Sequence, residues 1–320
     1  MPDLGEFDLI ERFFTRPARR ATLGVGDDCA LVQPTPGMTL AVSTDMLIEG
    51  RHFLATVPAD RLGHKALAVN LSDLAACGAR PLAFTLALAL PRAEEAFLAG
   101  FARGLFALAD REACELVGGD TTRGPLAVCI TVFGELPAGG ALLRSGARPG
   151  DDLYVSGTLG DARLALEAFR GQATLDADAF AQARRAMELP TPRTALGIRL
   201  RGVATSAIDV SDGLTGDLGH LLRRSGVAGV VDVDALPRSA VLAAQPMELQ
   251  RECLLAGGDD YELIFTALAS RRDAVAAAAA SAGVAVRRIG RIDAGEGLRL
   301  VDRGGDEVAS RFGSFDHFRA

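Results

Sequence analysis

The sequence predicts a mixed α/β (α+β) fold in two lobes. Apolar runs of strand length alternate with segments of helical period in both halves of the chain. A stretch rich in glycine and proline, Pro137 to Gly150, interrupts that alternation where a domain junction belongs. A length of 320 residues is ample for two cores. The expected organisation is residues 1–137, a junction over 138–150, and residues 151–320.

Each element has its own local reason. Phe7, Leu9, Ile10, Phe13 and Phe14 fall at helical spacing between Gly5 and Thr15. Leu23-Gly24-Val25-Gly26-Asp27-Asp28 is a glycine–acid turn leading into a short strand at Cys29–Val32, and Pro34–Gly37 is a second turn. Thr39–Ser43 reads as a strand ending in Ser43-Thr44-Asp45. A helix runs from about Ala59 through Cys77, followed by a nearly continuous apolar strand at Leu82–Leu90. Glu94–Ala113 is a long helix, Glu115–Val117 a short strand running into Gly118–Gly124, and Leu126–Leu136 another strand. Beyond the junction come a strand at Asp152–Ser156 and helices near Ala162–Arg170, Ala177–Met187 and Thr194–Leu200. Thr205–Ile208 is a strand that leads into Asp209-Val210-Ser211-Asp212-Gly213, with a helix to about Arg224 and a strand at Gly229–Val233. Gly257-Gly258-Asp259-Asp260 precedes a strand at Tyr261–Thr266. An alanine-rich helix at Arg271–Ala282, two more strands and a polar tail complete the chain.

Composition removes several functions. Hydrophobic content of 49% with 23% charged residues is that of a soluble globular protein. Met1–Glu11 has neither the basic region nor the apolar run of a signal peptide, and Leu82–Leu90 is too short to span a membrane. A net charge of −7 without any basic run argues against nucleic acid as a partner. Five scattered cysteines without C-x-x-C spacing read as buried free thiols in a reducing cytoplasm. Lys65 is the only lysine, so neither a phosphate loop ending in G-K-[ST] nor a protein-kinase strand lysine is available. No dinucleotide fingerprint, nucleophile elbow or H-E-x-x-H is present, and the four histidines are dispersed, which disfavours zinc.

Asp73 is the awkward residue of the Ala59–Cys77 helix. Leu62, Ala66, Val69, Leu71 and Ala75 occupy much of its circumference, leaving little room for a solvent-facing carboxylate. Helix propensity shifts this segment by less than about 1 kcal/mol per residue, whereas a buried unpaired carboxylate costs several. Either a positive partner lies near Asp73, or Asn70 and Ser72 are caps and Asp73 complements a helix dipole.

Further acids follow the same habit. Asp27, Asp28, Asp45, Asp120, Asp209 and Asp212 lie at expected strand ends or turns, beside glycines and the hydroxyls of Ser43, Thr44, Thr121, Thr122 and Ser211. Singly, each is explained by turn chemistry. Jointly they are hard oxygen donors of the kind Mg²⁺ takes together with substrate phosphates. Without a cation, carboxylates so gathered would repel one another.

These motifs resemble the thiamine-monophosphate kinases, relatives of aminoimidazole ribonucleotide synthetase and selenophosphate synthetase. The resemblance rests on Val25-Gly26-Asp27-Asp28, Ser43-Thr44-Asp45, His52-Phe53, Lys65 to Ala76, Gly118-Gly119-Asp120-Thr121-Thr122, Ile208 to Leu214, and Asp260-Tyr261-Glu262-Leu263. It extends from Gly5-Glu6-Phe7 to Asp316-His317-Phe318 in matching order. It implies an N-terminal sheet lobe that dimerises through its sheet, a C-terminal α/β lobe, ATP bound between the two, and phosphorylation of thiamine monophosphate to thiamine diphosphate with several Mg²⁺ ions. Mapped motif by motif, it implies metal ligands at Asp28, Ser43, Thr44, Asp45, Asp73, Asp120, Asp209 and Asp212. Asp45, Asp73 and Asp120 take the metal-assisted catalytic role, with no general base. ATP contacts fall on Gly119, Asp120, Arg144 and Ser211, and substrate contacts on His52, Asp259 and Phe315. Asp259 stands where the family commonly has Glu, and Ser314 intervenes before Phe315 where an aromatic usually follows Gly.

Three other functions compete. Selenophosphate synthetase requires a reactive Cys or selenocysteine ahead of the first acidic motif; none precedes Gly24, and Cys29 falls in an expected apolar strand. The purine-pathway cyclo-ligase is separated by its substrate. A nucleotide-binding regulator is separated by the absence of ADP release.

Overall fold

The computed structural model describes residues 5–309. The chain divides into two compact units, the first reaching Leu74 and resuming over Ala79–Gly139, the second comprising Ala75–Gly78 and the chain from Gly140 onward.

The first unit opens with one helical turn, α1 (Glu6–Leu9), that widens into a π turn at Ile10–Phe14. This is shorter than the helix expected to Thr15. Its sheet contains β1 (Met38–Ile48), β2 (Arg80–Leu90), β3 (Glu115–Arg123) and β4 (Ala127–Pro137) in the order β1-β4-β2-β3. Helices α2 (Ala59–Ala76) and α3 (Glu95–Glu112) supply the rest of the core. Between Leu62 and Ala75 only His64 and Asp73 of α2 escape full burial. The crowding read from the sequence is therefore real, and Asn70 and Ser72 lie inside the helix rather than capping it.

Three expectations in this unit are corrected. Cys29–Val32 is no strand: the segment closes through a single bridge between Leu23 and Leu31, and the Asp27-Asp28-Cys29 turn consumes the intervening residues. Cys29 is exposed as a result, as is Cys77; only Cys114 and Cys253 are fully buried. β1 does not end at Asp45, because it pairs with β4 from Met38↔Pro137 to Ile48↔Ala127. Likewise β3 continues through Gly118–Arg123, paired in parallel with β2 as far as Leu90↔Arg123.

The second unit is built on a mixed six-stranded sheet. In chain order its elements are β5 (Asp151–Ser156), α4 (Asp161–Phe169), α5 (Ala177–Glu188), α6 (Thr194–Leu200), β6 (Ser206–Asp209), α7 (Leu214–Ser225) and β7 (Ala228–Asp232). There follow α8 (Ala240–Ala243), α9 (Met247–Ala256), β8 (Leu263–Leu268), α10 (Arg272–Ala282), β9 (Val286–Asp293) and β10 (Gly297–Val301). The sheet order is β10-β7-β9-β5-β8-β6. Alternation along the central strands builds a core on each face. Leu153, Val155, Ile208 and Ile264 join Leu218 and Leu221 on one side, while Tyr154, Ala207, Leu263 and Phe265 join Leu196, Leu200 and Val275 on the other. Helices α8 and α9 were not anticipated. The expected junction is docked: Leu142 and Ala147 are buried in these two cores, and the Leu143 carbonyl accepts from the Ala207 N–H at 2.9 Å.

Candidate functional site

In the first unit, the site grows from the contact between α2 and the inner face of β1. Residues 66, 70 and 73 share one helix face. The Asn70 side chain donates to the Ala66 carbonyl at 3.0 Å and accepts the Asp45 N–H at 3.0 Å. Its amide is thereby engaged at both its oxygen and its nitrogen, which fixes the height of β1 against the helix. One turn on, the Ser43 hydroxyl donates to Asp73 Oδ2. Ser43, Asp45 and Asp73 thus form a pre-arranged set of oxygen donors. Thr44, between them on the strand, turns its hydroxyl the other way to meet Thr131 Oγ1 at 2.8 Å. The Asp45 carboxylate lies close enough to Cys129 to push that thiol upward, after burial as the larger cause.

Asp28 lies in the exposed turn, its N–H bonded to Asp27 Oδ1 at 2.9 Å. Asp120 is exposed on the edge strand β3, where the preceding Gly119 has φ +149° and would drive a Cβ to 1.8 Å from the Leu86 carbonyl oxygen. Only glycine fits there. Strands β1 and β3 are three spacings apart, about 14 Å. Among the described residues no three His, Cys, Asp or Glu side chains stand together as a ready-made metal cluster. The donors fit Mg²⁺ by chemistry, since all are hard oxygens.

His52 closes the turn after β1. Its Nδ1 accepts the Ile48 N–H at 3.0 Å, so the neutral ring carries its proton on Nε2. The sole lysine is buried beneath it: Lys65 Nζ donates to the His52 carbonyl at 3.3 Å.

In the second unit, β6 delivers Asp209, which is buried, and then the turn Val210–Gly213. Two main-chain bonds zip that turn to the next motif, from the Asp259 N–H to the Ser211 carbonyl at 2.9 Å and from the Tyr261 N–H to the Val210 carbonyl at 2.8 Å. A Cβ on Gly258 would fall 2.3 Å from the Ser211 oxygen, so the approach requires glycine. Asp259 and Tyr261 both take positive φ, 68° and 52°, and the Tyr261 hydroxyl donates to Asp259 Oδ1 at 3.0 Å. Tyrosine rarely accepts that backbone, and strain of this kind gathers at binding sites. It also explains why β8 starts at Leu263 rather than at Tyr261. Asp260, between them, has carboxyl oxygen Oδ2 buried; the carboxyl is pushed well above the usual range by burial, against the pull of the Gly160 N–H.

The Arg144 side chain is exposed, while its carbonyl accepts from the Ser225 hydroxyl at 3.0 Å. Burial first, then Arg223 and Arg144, hold His220 below its ordinary value, and Asp212 opposes them. Arg144 and Asp212 therefore share one neighbourhood around His220. Phe315 lies outside the described residues.

Two residues had escaped notice. Asp217 gathers three N–H groups of the Ser211–Gly213 turn, and its signal was an acid in the first turn of a helix entered through Asp-Gly. Tyr261 carried no sequence signal, because its role comes from backbone conformation.

Comparisons with known proteins agree along the chain. The AIR synthase related protein N-terminal domain matches residues 26–136, and its C-terminal counterpart matches residues 148–303. The thiamine-monophosphate kinase of Salmonella typhimurium is 47% identical over 98% of both chains. A crystal structure of thiamine-monophosphate kinase from Stenotrophomonas maltophilia is 47% identical, with a TM-score of 0.84 over 90% of this chain and 92% of that one. A structure of AaThiL complexed with AMPPCP and TMP is 30% identical, with a TM-score of 0.77 over 98% of this chain and 97% of that one.

Proposed function

The chain belongs to the thiamine-monophosphate kinases, and from that membership we propose that it moves the terminal phosphoryl group of ATP onto the phosphate of thiamine monophosphate, giving thiamine diphosphate and ADP. The observation that carries this reading is full-length likeness to proteins of that activity, one of them solved with AMPPCP and TMP.

The acceptor is a phosphate, anionic at neutral pH, so no side chain need remove a proton. The task is to bring two anions together in line. Mg²⁺, when bound, supplies the neutralising charge and polarises the phosphoryl oxygens. Asp28, Ser43, Asp45, Asp73 and Asp120 would hold it in the first unit, with Thr44, whose hydroxyl turns to Thr131, able to do so only through its main chain, and Asp209 and Asp212 in the second. Asn70 sets the height of Asp45, and Ser43 aims the carboxylate of Asp73. Gly119 lets the main chain beside Asp120 approach the nucleotide, while Ser211 and the exposed Arg144 contact its phosphates; a guanidinium suits a phosphate fork. His52 and Asp259 would contact the thiamine monophosphate, and Phe315 is assigned the same role from its place in the sequence.

Two further features belong to the same reading. The protein acts as a homodimer, a state supported by Leu40, Val42, Met46 and Ile48, which expose one apolar side of β1. It works in the cytoplasm, a location supported by five cysteines that are all free thiols.

The test is ADP release with Mg²⁺ and ATP, comparing thiamine monophosphate with thiamine. Turnover is expected with the phosphate ester alone. Asp45→Asn and Asp120→Asn are each expected to cut it at least about 100-fold with little change in melting temperature. Activity confined to thiamine, or wild-type rates in a folded variant, would refute the mechanism.

A further inference from the structure

We infer that Asp217 is the positioning residue of the turn that meets the nucleotide and its cations, an inference that rests on the kinase reading above. Asp217 belongs to the first turn of α7, where its own N–H bonds to the Gly213 carbonyl at 3.0 Å. From there its side chain folds back beneath the turn. Oδ2 accepts three consecutive main-chain N–H groups, from Ser211 and Asp212 at 3.0 Å each and from Gly213 at 3.1 Å. Asp217 is buried at 4% exposure, so solvent does not compete for these bonds.

Successive N–H groups converging on one point form a concavity that ordinarily receives an anion from outside. Phosphate loops use that arrangement to cradle a nucleotide directly. Here the chain fills the concavity with its own carboxylate. The three donors are withdrawn from any ligand, and the turn presents the Ser211 hydroxyl and the Asp212 carboxylate instead. A bare phosphate gains little from such a surface, whereas a cation carried by the nucleotide gains a ligand. The turn is fixed on its other flank by the Asp259 N–H and by the close approach of Gly258. Asp217 therefore sets the curvature of the turn from within.

The test uses the full-length protein with Asp217→Asn, Asp217→Ala and Asp217→Ser. Asparagine keeps an acceptor oxygen at the same reach; alanine and serine do not. Calorimetric binding of AMPPCP with Mg²⁺ is measured alongside KM for ATP, KM for thiamine monophosphate and ligand-free melting. Alanine or serine is expected to weaken nucleotide binding about tenfold, with asparagine within about threefold of wild type and KM for thiamine monophosphate moved less than KM for ATP. Equal losses in all three variants, parallel shifts of both KM values, or wild-type binding by the alanine variant would overturn the inference. So would failure of both alanine and serine variants to fold, since the role would then be structural. Lack of ADP release by wild type would sink the kinase reading while leaving the calorimetric comparison intact.

Discussion

Asp260 has one oxygen bonded to the Gly160 N–H at 2.9 Å and the other buried without a partner. Glu262, Asp161 and Asp259 add repulsion to the cost of burial, so the folded protein favours the neutral acid. The folded pKa lies above the unfolded one, so this group's stabilisation is complete below the ordinary carboxylate range and is lost as pH rises through the folded value. Asp260→Asn is expected to flatten the fall of melting temperature over that interval, measured by thermal unfolding across a pH series. An unchanged slope would show that the group stays ionised. At this scale the sequence was legible for chemistry and poor for conformation. Its oxygen donors were visible in Ser43, Asp45 and Asp73, but the contact between Ser43 and Asp73 depends on strand phase against a helix thirty residues away. Positive φ at Tyr261 leaves no mark in residue type.

Helix α2 is held to β1 by the amide of Asn70, which is 1% exposed. Asn70→Leu would preserve the bulk while stranding the Asp45 N–H, so a loss of about 1–3 kcal/mol is expected in urea unfolding. A neutral outcome would mean that another group takes up that N–H. The helix was readable to within a residue because its apolar positions encircle it. β1 and β3 were undercalled because their second halves are held by register with β4 and β2, and pairing partners are not local information. Helix α9 was hidden for a different reason. Its inward position Gln250 is polar and is buried only because it bonds the Ala243 and Gln245 carbonyls at 3.0 and 2.7 Å and receives Arg238 at 2.8 Å. A pattern that counts apolar residues loses the helix there.

Across the whole molecule, alternation of strands and helices gave the fold class, and the resemblance of the motifs in their order gave the activity. Assembly belongs to this scale too. Val42 and Met46 are 58% and 52% exposed at the centre of the apolar side of β1. Val42→Glu places a charge there, and sedimentation is expected to show a dimer for the parent chain and a monomer for the variant. A dimeric Val42→Glu protein would move the interface elsewhere. The single lysine has a consequence for the molecule as a reagent. Lys65 is 2% exposed and clasped to the His52 turn, so the only side-chain amine is sealed off from acylating chemistry while α2 is docked. Amine-directed acylation at Lys65 then acts as a clock for opening beneath that turn, running against a silent background of arginines.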